Sequence, residues 1–283
     1  MASYTQEQIR FENEKPYEDI FADMLDAHDA DLEDYRRYLA QSDDHWLCII
    51  VLREPFLSCD PLQVGDIYSS ALSNWGHDNI HEIAGGTCVM ITRGRGAWNE
   101  WPETNRLGAL IEKEYLGRGL KSMSKVCVGR PVRDTGLLLH SLSDAFCVCG
   151  YIMIRKPAET VITYDDLGVL RILFDWDNRT ELRRIYYNKI EEIDLYDKEN
   201  NTEYLDTITS YCKYAFSVNT TARKMHMHYN TVVSRLMRLK EISGFDLLND
   251  AKAQFDAYTC VMVYYEYLCM GQFTDGLIKG SGE

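Results

Sequence analysis

Residues 222–247 read ARKMHMHYNTVVSRLMRLKEISGFDL, and this stretch decides the fold of the C-terminal part of the chain. From Asn230 it predicts one amphipathic helix, because apolar residues recur at helical spacing while polar residues share another face. Gly244 is expected just beyond the last helical residue, where a left-handed conformation ends many helices. The apolar face carries Val232, Leu236, Leu239 and Ile242, and the polar face carries Thr231, Ser234, Arg235 and Arg238.

Two further helices are predicted before this one. The first spans Thr202 to Tyr214; the second is short, takes its N-cap from Asn219-Thr220-Thr221 and runs through Ala222 and Met225. The connection His226-Met227-His228 then leads into the long helix. Two helices joined by such a short turn, the second with a polar and basic outer face, form a helix-turn-helix. Its second helix presents its first residues to the major groove of DNA.

The charge of this segment differs from that of the whole chain. The full sequence has a formal net charge of -14, which repels nucleic acid, so any DNA-binding surface has to be local. Between Asn219 and Gly244, Glu241 is the only acidic residue, against the cationic residues Arg223, Lys224, Arg235, Arg238 and Lys240. This concentration favours a nucleic-acid surface, although spacing alone fits a solvated helical hairpin equally well.

The residue identities in this stretch resemble the C-terminal helix-turn-helix of the PucR/CdaR family of bacterial transcription regulators. Tyr229 stands where the family usually has arginine, and Ser234 where it usually has tyrosine, so one phosphate contact is lost and the base-reading surface is altered. The resemblance implies a homodimer that binds double-stranded DNA, regulates transcription and answers to a small-molecule effector of unknown identity. The residues that match in order and spacing are His228, Asn230, Thr231, Arg235, Leu236, Gly244, Asp246 and Leu247.

The predicted DNA-binding residues fall into two groups by role. Three further residues are predicted to contact DNA without being assigned to either group. They are Thr220 and Thr221, at the start of the short helix, and His228, in the turn. Base edges are expected to be read by Asn230, Thr231, Ser234 and Arg235, and phosphates to be held by Arg223, Lys224, Tyr229 and Arg238.

The preceding part of the chain alternates strands with helices. The apolar run Leu47 to Leu52 predicts a buried strand, and Asp60-Pro61 opens a helix. Gly85-Gly86 lies between two apolar runs and favours a tight hairpin. Later patterns predict a helix over Leu107 to Tyr115, a strand over Lys125 to Val128, a helix over Leu138 to Phe146 and a strand over Val161 to Tyr164. The predicted fold class is α+β: a ferredoxin-like sandwich with a mostly antiparallel sheet, followed by an all-α helix-turn-helix domain.

Three upstream segments extend the resemblance to the family's GGDEF-like domain and helical connector. They are residues 128–132 (VGRPV), residues 164–168 (YDDLG), and residues 194–197 (DLYD) together with residues 205–207 (LDT). A cyclase of that fold bears acids on its hairpin and at the end of its first strand, where metal ions clamp a nucleoside triphosphate. Here the hairpin reads Gly85-Gly86-Thr87-Cys88-Val89 and the strand ends at Arg53. We therefore expect no catalysis, no metal and no cofactor.

The predicted organisation is N-terminal helices over 1–43, the GGDEF-like domain over 44–174, a connector over 175–200, the helix-turn-helix domain over 201–270 and a tail over 271–283. Trp98 and Trp101 either fold a loop over the core or line a small pocket. The nine cysteines form no C-x-x-C pair and are interpreted as reduced core thiols.

Without a signal peptide or a long uninterrupted apolar run, the protein is expected in the cytoplasm and away from membranes. Two rival functions stay open. One is a protein–protein interaction or dimerisation module that has lost DNA binding, and the other is a nucleotide-binding sensor without catalysis.

Overall fold

The computed structural model describes residues 17–53, 60–76, 78–95, 102–155, 157–174, 182 and 188–280. Within them a five-stranded sheet has the strand order β2-β3-β1-β4-β5. β1 pairs antiparallel with β3 and with β4, β2 pairs antiparallel with β3, and β5 pairs parallel with β4. The strands are β1 His45–Arg53, β2 Asn79–Ala84, β3 Thr87–Arg95, β4 Lys125–Val128 and β5 Val161–Thr163.

Helices cover both faces of this sheet and continue beyond it. Short 3₁₀ helices at Thr135–Leu137 and Tyr164–Leu167 flank the longest helix of the α/β part. The α-helices of the described residues are α1 Tyr17–Ala27, α2 Asp29–Leu39, α3 Pro61–Trp75, α4 Pro102–Gly117, α5 Leu138–Arg155, α6 Leu170–Leu173, α7 Asn188–Asn200, α8 Tyr204–Lys213, α9 Val218–Lys224, α10 Tyr229–Ser243 and α11 Ala251–Gly280.

The chain order β1-α3-β2-β3-α4-β4, with the spatial order β2-β3-β1-β4, is that of a ferredoxin-like fold. The predicted α+β class is therefore confirmed. The parallel β5 extends the sheet at one edge. The hairpin prediction is confirmed too, because Gly85 and Gly86 have φ angles of +55° and +72°, as a tight turn between twisted strands requires.

The central strand β1 divides its side chains between two apolar layers. Leu47, Ile49 and Val51 lie in the layer formed with α5 and α11, whereas Cys48, Ile50 and Leu52 lie in the layer formed with α3 and α4. A strand that is covered on both faces can be apolar at every position, which explains the unbroken run in the sequence.

Helix α11 lies at the centre of the molecule. It packs most extensively against α5 and also contacts β2, α7 and α8. Gly150 of α5 permits the close approach, since a Cβ there would lie 2.7 Å from the carbonyl oxygen of Met262. Residues 271–280, expected as a tail, belong to this helix. One apolar cluster runs from Phe21 to Phe273 and includes residues of α8 and α10, so the division into two domains stays a prediction.

Eight of the nine cysteines are buried thiols that form no disulfide, while Cys59 lies outside the described residues. Burial raises the pKa of the Cys48, Cys260 and Cys269 thiols to about 12. These thiols stay protonated at neutral pH, and a protonated thiol is neither a nucleophile nor a metal ligand.

One helical stretch of the described residues, Thr135–Arg155, is long and apolar enough to cross a bilayer. The sequence has no uninterrupted apolar run of that length. Within the fold, 72% of its most apolar stretch of 18 residues is buried. It is the core helix against which the sheet and α11 pack, and this burial accounts for its composition.

Candidate nucleic-acid interface

The helices α8, α9 and α10 form the predicted three-helix arrangement, with α9 and α10 as its helix-turn-helix. Helix α9 begins earlier than predicted, because Ser217 is its N-cap and accepts a hydrogen bond from the Thr220 amide at 3.3 Å. Thr221 therefore lies inside the helix and is fully buried. Its predicted contact with DNA is wrong for this reason. Thr220 is half-buried and receives a hydrogen bond from the Ser217 hydroxyl at 3.0 Å.

The turn between the two helices spans 225–228. His226 has a φ angle of +56°, in the left-handed region, where the chain can reverse within a few residues. The following amide, that of Met227, donates to the carbonyl of Ala222 at 2.8 Å, which closes the end of α9. Met227 packs against the apolar core while His226 is exposed.

His228 is the N-cap of α10. Its Nδ1 accepts a hydrogen bond from the Asn230 amide at 3.2 Å, so α10 begins at Tyr229, one residue earlier than predicted. A nitrogen that accepts carries no proton, so in the neutral ring the proton lies on Nε2. The ring is exposed, and Nε2–H is the donor it can offer to another molecule. At the other end, Gly244 has a φ angle of +80° and ends the helix as predicted.

The predicted apolar face of α10 is confirmed. Val232, Leu236 and Leu239 are buried in the same cluster as Ile208 of α8 and Ala222 of α9. This packing fixes which side of α10 is exposed.

The opposite side of α10, together with the end of α9 and the turn, forms what we call the outer face. Met237 is 56% exposed and shares a helical stripe with Asn230 and Ser234. The sequence reading missed Met237, because a methionine at helical spacing is usually a core residue. The outer face consists of Arg223, Lys224, His226, His228, Tyr229, Asn230, Thr231, Ser234, Met237 and Arg238, all of which are exposed.

Arg235 does not belong to the outer face. Its Nη1 donates to the Thr207 hydroxyl at 3.0 Å and to the Glu203 carbonyl at 3.4 Å, and its Nη2 lies 3.3 Å from the Glu203 carboxylate. Its side chain is 24% exposed. The residue predicted to read a base edge is thus turned toward α8.

Arg238 is on the outer face but is already paired. Its guanidinium stacks 5.4 Å from the centre of the Tyr196 ring, donates to the Tyr196 hydroxyl at 3.0 Å and bonds to Glu241. The hydrogen bonds to Tyr196 and Glu241 raise the pKa of Arg238, so it is charged at every relevant pH. Tyr196 belongs to α7, so this contact also joins α7 to α10.

The unpaired positive charge of the outer face lies at the end of α9. Among the described residues, Arg223 and Lys224 have no ion-pair partner. Lys240, by contrast, is 2.6 Å from Asp246. Cations in the last turn of a helix also interact favourably with its dipole.

Comparison with known proteins agrees with this geometry. Residues 204–261 match the PucR C-terminal helix-turn-helix domain. The segment is a PucR-type helix-turn-helix. The match begins at the first residue of α8 and ends inside α11, so the PucR-type domain includes the first third of the central helix.

Two relatives add to this comparison. The chain is 22% identical over 94 residues to the DNA-binding transcriptional activator AdeR of Bacillus subtilis (strain 168), a match that covers 33% of this chain and 22% of the relative. A regulator of polyketide synthase expression from Bifidobacterium adolescentis is 20% identical, with 78% of this chain and 85% of that chain covered. Its TM-score of 0.31 is too low to establish a shared fold.

Helix α11 covers the turn of the β2–β3 hairpin in the α/β part. A Cβ on Gly85 would lie 2.2 Å from the Gln272 carbonyl oxygen of α11, so the helix packs directly on the turn. Arg53, at the end of β1, is buried and donates to the Thr87 hydroxyl at 2.6 Å and to Gln272. Within the described ranges no three His, Cys, Asp or Glu side chains are grouped as metal ligands. Trp98 and Trp101 lie outside those ranges.

Proposed function

We propose that this chain is a transcription regulator of the PucR/CdaR type that binds double-stranded DNA through its outer face. The observation that carries the proposal is the exposed polar side of α10, fixed by a buried apolar side, within a segment that matches a PucR-type domain. A recognition helix needs this combination, because its buried side sets the orientation and its exposed side enters the major groove.

In the proposed complex the first turns of α10 face the base edges. Asn230 is suited to a bidentate contact with adenine, and Thr231 and Ser234 to single hydrogen bonds. Arg223 and Lys224 hold phosphates as unpaired cations, and His228 donates from Nε2. Tyr229 and Arg238 border the groove and contact the backbone. Arg235 is given a different role below.

The α/β part serves, in this proposal, as a non-catalytic GGDEF-like domain that dimerises the protein or relays a signal. Two features support the lack of catalysis: the cation Arg53 stands where a cyclase has a metal-binding acid, and α11 packs on the hairpin turn. A homodimer suits the two-fold operators that such helices usually read. Cytoplasmic location and a small-molecule effector complete the proposal.

A rival proposal is favoured by two specific observations. Tyr229 replaces a phosphate-binding arginine, and the chain carries a net charge of -14, both of which suit a protein-binding module that no longer binds DNA. Arg223 and Lys224, which are exposed and have no ion-pair partner among the described residues, favour DNA instead. Binding measurements separate the two directly.

The test is selection of duplexes from a random pool by the full chain, followed by titration of the best duplex and a scrambled one at two salt concentrations. We expect a preferred sequence whose affinity falls as salt rises. Asn230→Ala should weaken that binding by about 1–3 kcal/mol, whereas Asn74→Ala, an exposed asparagine on α3, should not. Absence of binding to any duplex at low salt would refute the proposal in favour of the interaction module.

A further inference from the structure

We infer that Arg235 is a positioning residue that sets the orientation of α10 on α8, and that it does not contact DNA. This inference rests on the proposed function and names what determines its sequence specificity. It starts from the three acceptors around one guanidinium: the Thr207 hydroxyl, the Glu203 carbonyl and the Glu203 carboxylate.

These acceptors form a closed network at the start of α8. The Thr207 hydroxyl, which receives the bond from Arg235, itself donates to the Glu203 carbonyl at 2.8 Å. Thr207 is fully buried, and Glu203 is the N-cap that immediately precedes α8. A planar guanidinium with several fixed donors meets such a set of acceptors in one orientation only. The network therefore locks α10 against both translation and rotation on α8.

The residues proposed to read bases lie next to this anchor. Thr231 and Ser234 are four residues and one residue before Arg235, within the same stretch of α10. A small change in the tilt of α10 would move them, with Asn230, as one group. Specific contacts depend on placement to within about 0.5 Å, whereas non-specific attraction to phosphates depends mainly on the number of charges. Loss of the anchor should consequently reduce specificity more than general affinity.

Replacement of Glu203 is the decisive variant, because the two possible roles of Arg235 predict opposite changes in affinity for DNA. Glu203 is acidic and its side chain is 64% exposed, so removing its charge should strengthen binding to DNA if electrostatics alone matters. If Glu203 instead holds Arg235 in place, Glu203→Gln should weaken binding to the selected duplex. Because the Glu203 side chain is exposed, its replacement leaves the core unchanged, and this variant should fold.

The experiment compares the unaltered chain with Arg235→Gln, Glu203→Gln, the double variant and Arg223→Gln, each titrated against the selected and the scrambled duplex at several salt concentrations. We expect Arg235→Gln and Glu203→Gln each to weaken binding to the selected duplex about three- to tenfold, the double variant to be no worse than Arg235→Gln, and both salt slopes to be unchanged. Arg223→Gln, in contrast, should reduce the slope by about one.

Three outcomes would overturn the inference. The first is a lower salt slope in Arg235→Gln, the second is stronger binding by Glu203→Gln, and the third is additive losses in the double variant. The first would mean that Arg235 contacts phosphate, the second that Glu203 acts by charge repulsion and does not hold Arg235, and the third that Glu203 and Arg235 act independently. Failure of the unaltered chain to bind any duplex would be a different result, since it refutes the proposed function and the inference with it.

Discussion

His226 occupies the left-handed region at the point where the helix-turn-helix reverses direction. This conformation costs an L-residue other than glycine about 1–2 kcal/mol, and the two helices supply the contacts that impose it. Replacement by glycine removes that cost but increases the entropy of the unfolded chain by an amount worth about 0.5–1 kcal/mol. The two effects are of similar size and opposite sign.

His226→Gly should therefore leave the free energy of unfolding unchanged or raise it by up to about 1 kcal/mol. Arg223→Gly is the matched control, since it lies nearby inside α9 and should lower stability by about 1 kcal/mol. Urea unfolding followed by circular dichroism measures both. Equal destabilisation by the two substitutions would show that the turn does not strain His226.

Asp246 stabilises the end of α10 in a pH-dependent manner. The hydrogen bond from Lys240, at 2.6 Å, holds the pKa of Asp246 below its ordinary value of 3.8, and a bond from Asn249 adds to the effect. A carboxyl whose pKa is lower in the folded state stabilises that state above its unfolded pKa. The contribution is lost as pH falls through the folded pKa.

Asp246→Asn should accordingly reduce the free energy of unfolding at neutral pH, and the difference from the unaltered chain should vanish as the pH falls below the ordinary carboxyl range. Thermal unfolding between neutral and acidic pH measures this difference. Asp44→Asn is the control, because Asp44 is an exposed carboxylate that lies outside α10 and outside the Lys240–Asp246 pair. A difference that persists at acidic pH would show that the Asp246 charge is not responsible.

Helix α10 is the element that the sequence predicts best. Its burial pattern and its glycine end follow from local rules that apply whatever surrounds the helix. The orientation of Arg235 did not follow, because periodicity places Arg235 on the polar side without revealing that Glu203 and Thr207 lie beside it. The Ser217 cap was missed for a related reason, since several neighbouring residues are equally good caps.

The end of α9 supplies the unpaired charge of the outer face, so it should dominate the salt dependence of DNA binding. The variant with Arg223→Gln and Lys224→Gln should reduce the slope of log affinity against log salt by about two, close to one per lost phosphate contact. Fluorescence anisotropy at four salt concentrations gives the slope.

Lys121→Gln is the control for that measurement. Lys121 is also exposed but lies in the loop between α4 and β4, outside the outer face. An equal change of slope in Lys121→Gln would indicate that the whole surface, not the end of α9, attracts DNA.

At the scale of the whole molecule, α11 joins the PucR-type domain to the α/β part. Sequence could not predict this, because α11 is buried on all sides along 259–267 and so has no amphipathic pattern to indicate its neighbours. The ferredoxin-like order, by contrast, was predictable from the alternation of strands and helices and from the Gly85-Gly86 turn.

The contact between α5 and α11 depends on Gly150. Gly150→Ala would place its Cβ 2.7 Å from the Met262 carbonyl oxygen and 3.1 Å from the Glu266 amide nitrogen, so we expect a loss of about 1–3 kcal/mol through overpacking. Gly117→Ala, where a Cβ meets nothing within 4 Å, should be neutral or stabilising. Chemical unfolding of both variants measures the difference. A Gly150→Ala protein as stable as Gly117→Ala would show that the two helices do not pack this closely.

Oxidative footprinting by hydroxyl radicals, with and without the selected duplex, shows whether DNA covers the outer face. Tyr229 and Met237 are 47% and 56% exposed and react readily with the radical, as does Met123, which is 38% exposed in the α/β part. DNA should protect Tyr229 and Met237 from oxidation while Met123 reacts as before. Protection of Met123, with Tyr229 and Met237 as reactive as before, would place the DNA on the α/β part and refute binding through the outer face.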